Sequence, residues 1–247
     1  MESGSDSELE AAFREYWQHT RQCINERLQF TYIYVVVVAA ILVFIKEKEF
    51  LEPENLVLIL LVVLFALVLS IIGFMVVIAT SLGYEHYISD IVIIVYRWNK
   101  VEFYDHPKKP VHFANVHRMF FEFTVSLFST LLFFILSLEC DFLRPLKENP
   151  FWFLVFFIVV FFAIETWYEF KWFDYFSESW QFNRLLKDDI RGFYRKDWNY
   201  WFKRTNFRRR ILKDAEARRI LKPKVQPPIR RLLLWILRKL AIMVLLP

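Results

Sequence analysis

Glycine is nearly missing. Only Gly4, Gly73, Gly83 and Gly192 occur in 247 residues, which excludes a glycine-rich phosphate loop or a dinucleotide fingerprint, since both need several glycines at fixed offsets. Cysteine is scarcer still. Cys23 and Cys140 are too few for a disulfide framework or a cysteine-ligated zinc site. The nine prolines all fall outside four long apolar runs, as uninterrupted helices require. The first residues, MESGSDSELE, are acidic and polar, so a cleavable signal peptide is not expected. No internal repeat and no nucleophile-elbow or metalloprotease motif is found. The histidines His86, His106, His112 and His117 share one link. "HFANVH" spaces two of them five apart, with Asp105 as a loose third, which does not match metal-ligand spacing. The reading is of a chain that is not an enzyme and carries no metal and no cofactor.

What is abundant is apolar and aromatic. The hydrophobic fraction is 56% and 28 residues are phenylalanine, but the arrangement says more than the total. Apolar runs cover about 30–45, 56–79, 119–138 and 151–166, the third with a single charge, Glu122, near its start. The second is long enough to cross roughly 30 Å of hydrocarbon outright, and the others reach across with help from their flanks. Trp152, Trp167 and Tyr168 bracket the last run, as rings do at a membrane interface. The expected fold class is therefore all-α: a polytopic membrane protein with four transmembrane helices and helical cytoplasmic extensions.

Charge gives the direction. The links at 46–55 and 139–150 hold two basic residues each (Lys46, Lys48; Arg144, Lys147). The link at 80–118 holds five (Arg97, Lys100, Lys108, Lys109, Arg118), and residues 184–231 hold 17 basic against 5 acidic ones. Four spans put both termini and the middle link on one side, and the positive-inside rule makes that side cytoplasmic. The expected location is the cell inner membrane, multi-pass. Cys23 and Cys140 would then lie on opposite sides and could not pair within one chain.

Apolar residues at helical spacing continue past the spans. Leu9, Phe13, Tyr16, Trp17, Ile24 and Leu28 do so in an N-terminal arm over 1–29, and Ile88, Ile91, Val92, Val95 and Trp98 do so after the second span. Such faces need partners. The remaining chain, 167–247, reads as a basic cytoplasmic helical region. It ends in IRRLLLWILRKLAIMVLL, whose Leu/Trp/Ile clusters flanked by basic residues suit a helix lying in the membrane interface. A helix packed on the cytoplasmic layer and a short re-entrant span are the alternatives.

Two groups of residues are functional candidates. On the third span Glu122, Ser126, Ser129, Thr130 and Ser137 share one helical face. In an oligomer this face could line a pore, or its small residues could simply let helices approach closely. The second group is Arg204, Arg208, Arg209, Arg210, Lys213, Arg218, Arg219, Lys222, Arg230 and Arg231, candidates for anionic lipid or another polyanion. FYRKDWNYWFKRTNF just upstream interleaves aromatics with base, as a nucleic-acid stacking surface does. A transporter is not expected, because neither paired broken helices nor a buried charge pair is evident.

The arm FREYWQHTRQCINERLQF running into the first span, and the second span running on as SLGYEHYISDIVIIVYRWNK, resemble the layout of SLATT-like proteins and other small membrane effectors of bacterial antiphage defence. The resemblance covers roughly residues 8–100 and is one of pattern; the SLATT-like proteins have two spans where this chain has four. It implies an oligomeric, gated pore or membrane-disrupting effector whose partners are the bilayer, further copies of itself, and a regulatory protein, nucleotide signal or nucleic acid. The rival reading is a non-conducting anchor or adaptor that recruits a cytoplasmic partner or nucleic acid through its basic region.

Overall fold

The structure, a computed structural model of the chain, describes residues 3–47, 53–103, 113–139 and 149–220. Four long helices dominate: α1 Ser3–Glu47, α2 Pro53–Arg97, α3 Phe113–Glu139 and α4 Phe151–Asp188. Three short ones follow: α5 Phe193–Lys196, α6 Trp198–Trp201 and α7 Phe207–Ala217. No strand occurs among the described residues. Each long helix is long and apolar enough to cross a membrane. The chain is an all-helical protein with four candidate membrane spans, as its apolar runs require.

The apolar periodicity beyond the spans also has its counterpart. At 45 residues each, α1 and α2 are about 68 Å long, roughly twice the thickness of a bilayer core. The chain divides into two compact units that share these helices. One comprises residues 1–22, 82–108 and 166–247, the other residues 23–81 and 109–165.

The first unit has a core of its own. Ile88, Ile91, Val92, Val95 and Tyr96 of α2 pack with Phe182, Leu185 and Leu186 of α4 and with Tyr194, Trp201, Ile211, Leu212 and Ala215 of the short helices. Phe13 and Tyr16 of α1 lie against it, so the arm's apolar face covers this core. A buried Ser89–Ser179 hydroxyl pair at 2.8 Å joins α2 to α4 inside the unit. A second polar knot ties the unit together: Tyr96 donates its hydroxyl to Asp189 Oδ2 at 2.5 Å and accepts the Arg195 backbone N–H at 2.9 Å. Asp189 also receives the backbone N–H groups of Phe193 and Tyr194 at 3.0 and 3.2 Å, capping the orphan donors of α5. Tyr194 donates to Asp214 at 3.1 Å. Burial first, and then that bond, push the Tyr194 phenol above its ordinary range.

Two helix ends in this unit close in the same way. After α2, Asn99 takes a left-handed conformation (φ 58°), with Asn99 N–H bonded to Tyr96 O and Lys100 N–H to Val95 O. After α7, Arg219 does the same (φ 58°), with Arg219 N–H bonded to Glu216 O and Ile220 N–H to Ala215 O. Both are Schellman closures that satisfy terminal carbonyls. Asparagine tolerates this conformation; arginine does so at a cost.

The second unit is the four-helix membrane part. Ile41, Ile45, Ile59, Val63, Ala66, Phe128 and Ile135 form its core. Tyr34 of α1 and Ser70 of α2 are joined by a buried hydroxyl pair at 2.6 Å. Phenylalanine rings knit α3 to α4, with Phe133 stacked on Phe156 at 4.5 Å. At Gly73 the backbone of α2 lies against the Phe121 ring of α3. A Cβ there would fall 2.0 Å from a Phe121 ring carbon, so this position requires glycine.

Candidate functional site

The third span's polar face points into this unit. Glu122 and Ser126 are wholly buried and Ser137 is 2% exposed, while Ser129 and Thr130 are half-buried. The hydroxyls bond within their own helix: Ser126 to Glu122 O and Thr130 to Ser126 O, both at 2.8 Å, and Ser137 to Phe134 O at 2.6 Å. This local back-bonding is how Ser and Thr satisfy themselves in an apolar setting. Glu122, Ser126 and Ser137 are buried within the chain itself.

Glu122 is different because it is ionisable. Arg118, one turn earlier on α3, donates through Nη1 to Glu122 Oε1 at 3.0 Å. The same Nη1 donates to Glu165 Oε2 of α4 at 2.5 Å, and Nη2 to Glu165 Oε1 at 3.3 Å. Arg118 therefore grips Glu165 with both nitrogens, the geometry a planar guanidinium favours, and shares one of them with Glu122. Side-chain exposure is 13% for Arg118 and 15% for Glu165. Glu165 also lies close enough to interact with the Glu122 carboxyl directly. Glu122 Oε2 is buried and has no hydrogen bond among the described residues. A buried ion-pair network is thus present where the sequence suggested none.

Its surroundings are polar but sparingly charged. His117 Nδ1 lies 3.4 Å from Thr31 Oγ1 of α1, with donor and acceptor roles set by the imidazole tautomer. Arg27 of α1, 4% exposed, is close enough to act on His117. Between Asn55 and Ser81, α2 carries no charged residue.

Arg118 and Glu122 at i, i+4 were visible in the sequence, but Arg118 reads there as link charge. The only signal for Glu165 was its place at the end of the fourth apolar run. Its partnership with Arg118, 47 residues away, is a product of packing.

The basic candidates are partly consumed inside their own unit. Arg204 and Arg210 stand over the Tyr200 ring at 5.2 and 5.7 Å, and Arg210 donates to Tyr200 O at 3.0 Å. Arg208 covers Phe182 at 5.5 Å. Arg218 sits 3.8 Å from the Phe193 centroid and pairs with Asp214 at 2.9 Å. Arg209, Lys213 and Arg219 are exposed. The upstream aromatics are largely core: Tyr194 and Trp201 are buried, and Trp198 stacks on Phe202 at 4.2 Å.

Lys222, Arg230 and Arg231, the terminal amphipathic segment, Cys140, His106 and His112 lie outside the described residues. Cys23 is a free thiol. No cluster of three metal-ligating side chains occurs among the described residues. Comparisons with protein-family models, with curated proteins and with solved structures find no match.

Proposed function

We propose that this chain is a gated ion-conducting membrane protein in which each copy carries its own route along the inward face of α3. The observation that carries the reading is Glu122, wholly buried within a candidate span and tied through Arg118 to Glu165. An ionisable group inside a span is costly and rare, and such residues mark ion or proton pathways. Ser126, Thr130 and Ser137 continue the polar line along the same helix.

The distribution of basic residues supports an inner-membrane location with both termini cytoplasmic. None of the apolar window of α4 is buried within the chain, which suits lipid contact or a second copy. The resemblance of roughly residues 8–100 to antiphage membrane effectors implies a role in which conduction is released by a signal.

Purified protein in liposomes should carry an ion flux that falls at least tenfold in Glu122→Ala. Liposomes that stay tight at every pH, voltage and salt tried would remove this reading. The rival, an anchor that recruits a partner, draws on the separate core of the first unit and the exposed Arg209, Lys213 and Arg219 of its last described turns. It predicts that charge reversal at those three residues abolishes partner binding while the membrane unit plays no part.

A further inference from the structure

The membrane unit gathers two carboxyl groups around one guanidinium. Arg118 is the cation that contacts both Glu122 and Glu165. Among the described residues, the spans of α2 and α4 add no cation to this contact. Between Asn55 and Ser81, α2 has no charge, and between Phe151 and Glu165, α4 has only Glu165 itself. On α1, Arg27 acts on His117. On α3, His117 meets Thr31, and Glu139 stands at the far end of the helix. Two ionised carboxylates with one guanidinium would leave a net negative charge in a setting with little water, which costs several kcal/mol. A buried group escapes that cost by binding a proton.

The geometry supplies a place for one. Glu122 Oε2 is buried without a hydrogen bond among the described residues, and Glu165 lies within hydrogen-bonding reach of the Glu122 carboxyl. We propose that Glu122 and Glu165 hold a single dissociable proton between them, balanced by Arg118, and that this carboxyl pair is a proton-binding site of the membrane unit. The step is a proton transfer alone. An O–H bond forms on a carboxylate oxygen as hydronium gives up its proton, and that bond breaks when the proton passes to the partner carboxylate or back to water.

The inference makes the proton the ion of the proposed conduction, and so rests on that reading for its role, though the binding itself can be tested separately. The full chain in lipid bilayers is examined by infrared spectroscopy at neutral pH. The expected result is one carboxylic-acid carbonyl band per chain that is present in the wild type and lost in Glu122→Gln. Glu165→Gln, which leaves one carboxylate facing one guanidinium, should lose it as well, so the test does not depend on a single variant folding. A band that survives in both variants, or a wild-type spectrum indistinguishable from both, overturns the proposal. Flux measured on the same samples separates the two ideas. Loss of the band without any flux keeps the proton site and removes conduction, whereas flux with no such band removes the site.

Discussion

The two units of this chain bury polar groups in different ways. In the unit built from the helix extensions and α5–α7, the carboxylates of Asp189 and Asp214 sit among phenol, backbone and guanidinium donors: Tyr96, Phe193 and Tyr194 for the first, Tyr194 and Arg218 for the second. Each carboxylate has donors of its own, three for Asp189 and two for Asp214. In the unit of candidate spans, Glu122 and Glu165 share Arg118. Dedicated donors fix the position of a carboxylate. Two carboxylates on one guanidinium leave an acceptor that can take up a proton.

The contrast can be attacked from either side. Arg118→Ala should cost the most, about 3–5 kcal/mol, because it strands two carboxyl groups in the membrane unit. Thermal unfolding in detergent should show the loss, and a much smaller change in Glu122→Gln would mark the cation as the indispensable member. Gly73→Ala should follow at about 3 kcal/mol, since the new methyl overlaps the Phe121 ring. The double variant Gly73→Ala/Phe121→Ala should recover part of that stability, which a double-mutant cycle would measure.

In the other unit, Tyr96→Phe should cost about 2 kcal/mol, because Asp189 loses a donor and the Arg195 N–H loses its acceptor. Hydrogen exchange at the Arg195 amide should accelerate, while amides of the membrane unit stay unchanged. The smallest effect is expected at the end of α7. Arg219→Gly relieves a left-handed arginine and should raise stability by about 1 kcal/mol in a denaturant titration. A loss of stability there would mean that the arginine side chain matters more than its backbone strain.

Much of the architecture was legible in the sequence because it depends on runs and periods. Long apolar stretches, the shorter ones helped by their flanks, announced the four candidate spans. The 3.6-residue recurrence of Ile88, Ile91, Val92 and Val95 announced that α2 would continue and bury that face. The polar face of α3 was equally readable as a face. What the sequence could not say is what that face meets, since a helical stripe looks the same whether it lines a channel between copies or turns into its own bundle. Glu165 was hidden for a related reason: a carboxylate at the end of an apolar run looks like the point where the membrane stops. The arginines of 204–219 looked like free charge because composition cannot show a guanidinium lying on a tyrosine or phenylalanine ring. The two Schellman closures turn on local backbone at Asn99 and Arg219; the first has a residue suited to it, and the second has no sequence signal.

The apolar stretch of α4 also sets a length. Phe151 to Ile164 is 14 residues, about 21 Å of helix, and Glu165 follows at once. An ordinary hydrocarbon layer is roughly 30 Å deep. A bilayer that meets α4 must therefore thin locally or draw the helix's polar end inward, and either adjustment costs a fraction of a kcal/mol per ångström of mismatch. Lipid chain length thereby becomes an experimental variable acting on the residue that shares Arg118 with Glu122. Bilayers of short-chain and long-chain lipids should place that carboxyl at different depths without any change in the amino-acid sequence.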